Sequence, residues 1–235
     1  MIVIMCKKIS LFLPLYGNTQ KKESGEPMKF RGIWKWSDSL GQWILHALYL
    51  QLLWFIFTII GVVLFGIMPA TIAVFTVWRK LTLEGNDIPI FKTFMESYKD
   101  NFIKTNGLGL LFFAVGLFIY FDLKIIEMNI NWYPLYLVFL FLFVIYVTVL
   151  LFFFPVYVHY DLKTIQYPKQ SLLIALSRPL ETLGMIISLV ILYYIFIYVP
   201  ILLFFVGISF VAYPLTLIAI RAFDKLDEKA SKLEQ

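Results

Sequence analysis

His46, His159 and Cys6 are the imidazoles and the thiol of a 235-residue chain that has two histidines and one cysteine in all. These side chains are the usual metal ligands and nucleophile–base partners. Their scatter along the chain lacks the close ligand spacing of a dedicated zinc site, and a lone cysteine excludes an internal disulfide. The HExxH and GxSxG patterns are absent, which argues against a membrane-embedded protease or hydrolase. No GxxxxGK[ST] loop occurs, so the chain cannot drive transport with ATP unaided. Catalytic residues, cofactors, metals and nucleic-acid partners are therefore not expected. His46 is the one titratable side chain inside an apolar run and the candidate polar site, with a hydrogen-bonded packing role as the plainer reading. His159 falls at the edge of another run, where it would meet headgroups or water.

The surroundings of these residues explain why chemistry is so sparse. Hydrophobic residues make up 61% of the chain and charged residues 15%, against roughly 45–50% and 25% in soluble domains. One soluble core cannot hide that excess, so lipid must solvate much of it. Four stretches lack Asp, Glu, Lys and Arg: residues 39–78, 105–121, 128–160 and 182–220. A spanning helix needs about 20 residues, and a straight helix over the first stretch would be about 60 Å long. The first and last stretches must therefore fold back, while the middle two are single spans.

Gly61, Gly66 and Pro69 lie where the first stretch has to turn, and Pro69 disfavours helical geometry at Met68. Carbonyls freed there need protein partners, because lipid offers none; Thr71 and Thr76 carry hydroxyls nearby. Pro200 plays the same part in the last stretch. The result is an all-α, polytopic transmembrane bundle of about six spans, or five plus a re-entrant half-helix. Its crossings fall near 42–61, 67–81, 105–121, 133–157, 182–199 and 201–220. With both termini cytoplasmic, 19 of the 20 Lys and Arg fall inside and Lys124 alone outside, as the positive-inside bias requires. Trp43, Trp78, Trp132, Tyr120, Tyr133 and Tyr157 mark span ends as headgroup-level anchors, and Trp54 reads as a packing residue.

The segment DIPIFKTFMESYKDNFIKTNG is the most patterned polar stretch. Phe91, Phe94, Met95, Tyr98 and Phe102 recur at helical spacing opposite Lys92, Glu96, Lys99 and Asp100. That pattern predicts a helix lying on the inner membrane surface, its aromatic face in lipid or against the bundle. Phe94, Tyr98, Lys99, Asn101 and Phe102 are the candidate surface for docking a partner. Pro69, Pro155 and Pro214 each precede a charged stop on a descending leg, which suggests a faint internal rhyme. Residues 1–27 read as a disordered extension, with Met28 as the natural first residue.

The stretch GIMPATIAVFTVWRKLTLEG, then FKTFMESYKDNF, then FFFPVYVHYDLKTIQYPKQSLLIALSRP resembles the YesL family of bacterial membrane proteins. The resemblance covers about Met28 to Leu226, with a short charged tail at 227–235. It implies a multi-pass plasma-membrane protein of a Gram-positive bacterium, from a family whose genes commonly neighbour carbohydrate transport and polysaccharide-use genes. It brings no catalytic residue. Family members usually carry a proline nearer to where Gly61 stands here. Two functions follow as expectations. One is a non-enzymatic accessory of carbohydrate (oligosaccharide) uptake or its regulation, contacting permease or sensor components. The other is a transporter or channel with a path between the two hairpins, lined by Thr58, Thr71, Thr76 and tyrosine side chains.

The charge split makes a direct prediction. Single cysteines at Asn18, Gly85 and Asn129, in a Cys6→Ser background, should differ toward an impermeant thiol reagent. Only the Asn129 position should label in intact cells, and labelling at Asn18 would overturn the six-span topology.

Overall fold

A computed structural model describes residues 31–233 apart from Asn86 and Asn131. The expected N-terminal extension, 1–27, lies outside the described residues, as does Cys6. The chain divides into two compact units, residues 46–222 and the flanking segments 1–45 with 223–235. Of the flanking unit, 31–45 and 223–233 are described, and both are helical. All interactions that follow lie within 46–222.

Every regular element among the described residues is a helix. In chain order these are α1 (Arg31–Ile60), α2 (Ile67–Glu84), α3 (Ile90–Ile125), α4 (Tyr133–His159), α5 (Gln166–Ser177), α6 (Pro179–Tyr198) and α7 (Pro200–Leu233). A π-helical turn, Ile126–Ile130, follows α3. Five stretches are long and apolar enough to cross a membrane: Gly41–Ile60, Ile90–Met128, Tyr133–His159, Pro179–Tyr198 and Pro200–Glu228.

The sixth leg is α2, which supplies 18 residues, or about 27 Å of helix. Side-chain contacts set its direction. Trp54 Nε1 donates to Thr71 Oγ1 at 3.1 Å across the α1–α2 turn, so these helices are antiparallel. Thr76 meets Ser97 at 2.9 Å and Met68 sits over Gly109, which runs α3 antiparallel to α2. Phe75 stacks on Phe154 at 5.3 Å and Arg79 meets His159, so α4 descends beside α2. Gly184 faces Ile218, pairing α6 antiparallel with α7. Ser209 Oγ donates to the Ala47 carbonyl, and Gln51 Oε1 accepts from the Ile208 amide; α7 thus returns antiparallel to α1. Ten residues of α2 are buried, from Pro69 to Leu81. It is a helix sheathed in protein, and it stands outside the five stretches long and apolar enough to cross a membrane.

The α1–α2 turn occupies residues 61–66, before Pro69. Proline stands instead in the first turn of α2, where its missing N–H would have no helical partner anyway. Two glycines make the turn. A Cβ on Gly61 would collide with the Gly66 backbone and lie 2.6 Å from the Tyr98 hydroxyl, and one on Gly66 would collide with the Thr58 carbonyl. Val62 and Val63 between them adopt φ 58 and 54, a left-handed conformation that β-branched residues rarely take. At the other hairpin, α6 ends at Tyr198 and Pro200 opens α7, a first-turn position whose fixed φ suits it.

Two expectations are corrected. The amphipathic segment does not lie on the membrane as a separate helix, for α3 runs unbroken through 36 residues. The glycine at its centre, Gly107, costs a helix only about 1 kcal/mol. Asn101, Thr105 and Asn106 fold their side chains onto carbonyls four residues back, so they offer the backbone no alternative there. Trp78 and Tyr157 are buried at 2% and 7% exposure, not anchored at headgroups. Trp78 packs on Tyr213 and Tyr157 hydrogen-bonds Asn101. Trp132, Tyr133 and Tyr120 are exposed at the far end, where a belt of amphipathic rings belongs.

The glycine contacts predict a graded response. Gly61→Ala should cost about 1–3 kcal/mol and lower membrane accumulation, because backbone has to yield. Gly107→Ala, whose new Cβ meets nothing within 4 Å, should be neutral or mildly stabilising. Thermal midpoints in mild detergent compare them; equal midpoints would mean that the turn is not held by close approach.

Candidate functional site: a polar cluster at the basic end of the bundle

The alternation of helix direction brings the C-terminal ends of α2 and α4, the Arg221 level of α7 and the start of α3 to one end of the 46–222 unit. Arg79, Lys80, Lys92, Lys99 and Arg221 therefore share that end, and Lys124 stands at the other. Polar side chains from four helices meet just inside it.

The cluster begins on α2. Thr76 Oγ1 donates to the Ile72 carbonyl at 2.8 Å, which commits its single proton. Ser97 Oγ is then the donor in the 2.9 Å contact with Thr76. Four residues along α3, Asn101 Nδ2 donates to the Ser97 carbonyl at 2.9 Å. Its Oδ1 accepts from the Tyr157 hydroxyl of α4 at 3.0 Å. The Tyr157 ring lies 4.5 Å from the ring of Tyr167 on α5. Tyr167 in turn pins the connecting loop: its hydroxyl donates to the Tyr160 carbonyl and accepts from the Leu162 amide, both at 3.2 Å. Burial raises the Tyr167 phenol above its ordinary pKa, the Leu162 amide opposes that shift and the nearby Asp161 adds to it. The proton that bridges to Tyr160 is thus retained at physiological pH.

Beside this chain of hydrogen bonds, Arg79 Nε donates to His159 Nδ1 at 3.4 Å. That makes His159 a neutral imidazole with its proton on Nε2. Both residues are half-buried, and the His159 ring stands edge-on to Tyr160 at 4.7 Å. His159 therefore faces protein, not only headgroups or water as its position at the run's edge suggests.

The residues singled out in sequence are distributed differently. Phe94 and Tyr98 are buried against Phe57 of α1, with the Tyr98 hydroxyl on the Phe57 carbonyl at 3.0 Å. Asn101 belongs to the polar cluster and Phe102 is half-buried beside Tyr98. Lys99 is the exposed member of that group, with Lys92, Glu96 and Asp100 on the same outer face. Thr71 accepts from Trp54 and donates to the Ile67 carbonyl at 2.7 Å. His46 is half-buried on α1 and makes no hydrogen bond among the described residues. No group of three or more His, Cys, Asp or Glu able to hold a metal occurs among the described residues.

Arg79, His159, Tyr157 and Tyr167 were not legible as a group from sequence. The available signal was the parallel descent of α2 and α4, which sets their charged stops, Trp-Arg-Lys and Val-His-Tyr-Asp, at one level.

Residues 47–123, from α1 through most of α3, match the family described as "Protein of unknown function, DUF624". The chain is 35% identical over 191 residues to "Uncharacterized protein YesL" of Bacillus subtilis (strain 168), covering 81% of this chain and 90% of that one. The chain belongs to the YesL family. YteU and YesV of the same organism, also titled uncharacterized proteins, are similar at 37% identity over 177 residues and 34% over 186. They cover 73% and 78% of this chain, and 78% and 89% of their own lengths. No solved structure matches. The matched YesL-family region holds the glycine turn, all of α2 and the Thr76–Ser97–Asn101 part of the cluster.

Tyr157→Phe should lower stability by about 1 kcal/mol, since it leaves the half-buried Asn101 Oδ1 without its donor. Adding Asn101→Leu to that variant should cost less than the same change in the parent chain, a coupling of at least about 0.5 kcal/mol. Detergent unfolding of the four proteins measures this. Strict additivity would mean that the hydrogen bond contributes nothing.

Proposed function

We propose that this chain is a non-enzymatic accessory component of carbohydrate (oligosaccharide) uptake or its regulation, resident in a bacterial plasma membrane. The observation that carries the reading is the division of polar groups. Inside the 46–222 unit, several hydroxyls and amides make cross-helix bonds, as Trp54–Thr71, Ser97–Thr76, Tyr98–Phe57, Tyr146–Phe112 and Tyr157–Asn101 do, and others fold onto their own helix. Lys92, Glu96, Lys99 and Asp100 stand exposed on one face of α3, where they contribute little to folding. Lys92 and Glu96 make one long contact of 3.9 Å along the helix, worth a few tenths of a kcal/mol at most in so exposed a position. A charged face with so little structural duty suits contact with a permease or sensor component, and the carbohydrate setting follows from the family resemblance.

A transporter or channel path between the hairpins has less support. Of its lining threonines, Thr71 and Thr76 bond backbone carbonyls of their own helix, and Thr58 is buried with its hydroxyl unpartnered among the described residues. Phe75, Phe152 and Phe153 fill the adjoining core.

Substituting Lys92, Lys99 and Asp100 together separates the readings. The accessory function predicts normal abundance, loss of a partner that copurifies from native membranes in mild detergent, and loss of oligosaccharide-dependent growth. A self-sufficient transporter tolerates the change. Unaffected growth with an abundant protein would overturn the proposed docking face.

A further inference from the structure

A guanidinium carries five N–H donors in one plane. Arg79 spends one of them, the Nε–H on His159. Among the described residues its two Nη groups meet no acceptor, and no carboxylate comes within ion-pair distance. Glu84, five residues on, is the carboxylate whose field reaches it. An exposed arginine in that condition would be solvated by water, but Arg79 is half-buried beside the core residues Trp78 and Leu81. A partly buried cation without a counter-ion is costly.

The position of the fork adds to the argument. Arg79 closes the apolar run of α2, and His159 closes that of α4. Both therefore stand where hydrocarbon gives way to headgroups. The His159 contact takes the inner Nε and leaves the paired Nη edge, the geometry that grips two oxygens of one oxyanion. Lysine at the same place would supply charge without that planar grip.

We infer that Arg79, braced by His159, binds a phosphate oxyanion at the basic end of the bundle. The oxyanion belongs either to a phospholipid headgroup or to free phosphate, and two arms of one experiment distinguish them. The full chain is purified in mild detergent with Arg79→Gln, Arg79→Lys and Lys80→Gln variants. In the first arm, native mass spectrometry counts phosphatidylglycerol retained after delipidation. In the second, inorganic phosphate is titrated against thermal midpoint without lipid.

The parent chain should bind in one arm, with Arg79→Gln weaker by about tenfold. Arg79→Lys should be intermediate, and Lys80→Gln close to the parent. Retention of phosphatidylglycerol alone assigns a headgroup, and a phosphate-dependent midpoint alone assigns the free anion. Equal behaviour of the parent and Arg79→Gln in both arms overturns the site. So does an equal loss in Lys80→Gln, which would indicate a diffuse basic surface. If Arg79→Gln does not fold, Arg79→Lys decides: full binding by lysine overturns the role of the fork.

Discussion

Two backbone carbonyls, each opened by a glycine one helical turn further on, hold this bundle together. The carbonyl of Phe57 accepts from the Gly61 amide and also from the Tyr98 hydroxyl, each at 3.0 Å. The carbonyl of Phe112, one turn before Gly116, accepts the Tyr146 hydroxyl at the same distance. At both places a Cβ would stand against the tyrosine oxygen, at 2.6 Å on Gly61 and 2.7 Å on Gly116. A side chain would shield the carbonyl, and glycine leaves it accessible. In a solvent as apolar as leucine, helices gain little from hydrophobic association, so close approach and interhelical hydrogen bonds must supply the attraction. Each such bond is worth about 0.6–1.7 kcal/mol by that measure. The first ties α3 to α1, and the second ties α4 to α3.

The placement of α2 follows from these contacts. Gly61 and Gly66 let the chain reverse within six residues, which sets α2 directly against α1. Gly109 then admits the Met68 side chain, so α3 closes over the other side of α2. Surrounded in this way, α2 can carry threonines that would be expensive facing lipid. Contrast α6, in which only Met185 and Leu192, two turns apart, are fully buried and the other residues are half-buried or exposed. One leg is spent on cohesion and the other on solvation by lipid.

The same economy governs the basic end. Charges are kept off the apolar legs and collected where α2 and α4 terminate and at Arg221 of α7, and α3 extends its charged face there. The neutral polar chain from Thr76 to Tyr167 joins four helices just beneath that surface. A ligand or partner engaging Arg79 or the α3 face would therefore press on groups bonded to one another across the bundle. In the proposed accessory role, that coupling would carry a binding event to a neighbouring component.

Sequence alone determined the helical membrane class and the end of the unit at which charge collects, because each depends on a one-dimensional quantity. Charge-free run length compared with bilayer thickness requires the first and last runs to fold back, and both do. The hairpin glycines were visible for the same reason, since a 40-residue run has to reverse near its middle. Hydropathy cannot distinguish burial in lipid from burial in protein, as both exclude water equally. Trp78 and Tyr157 therefore read as interfacial anchors when they are core residues, and α2 read as one more span rather than the enclosed one. Phe94 and Tyr98 read as a surface because their helical spacing matches an interfacial helix, while the Phe57 ring that packs on both comes from a distant part of the chain. The Arg79–His159 pair spans 80 residues, and only the parallel packing of α2 beside α4 brings those two charged stops to one level.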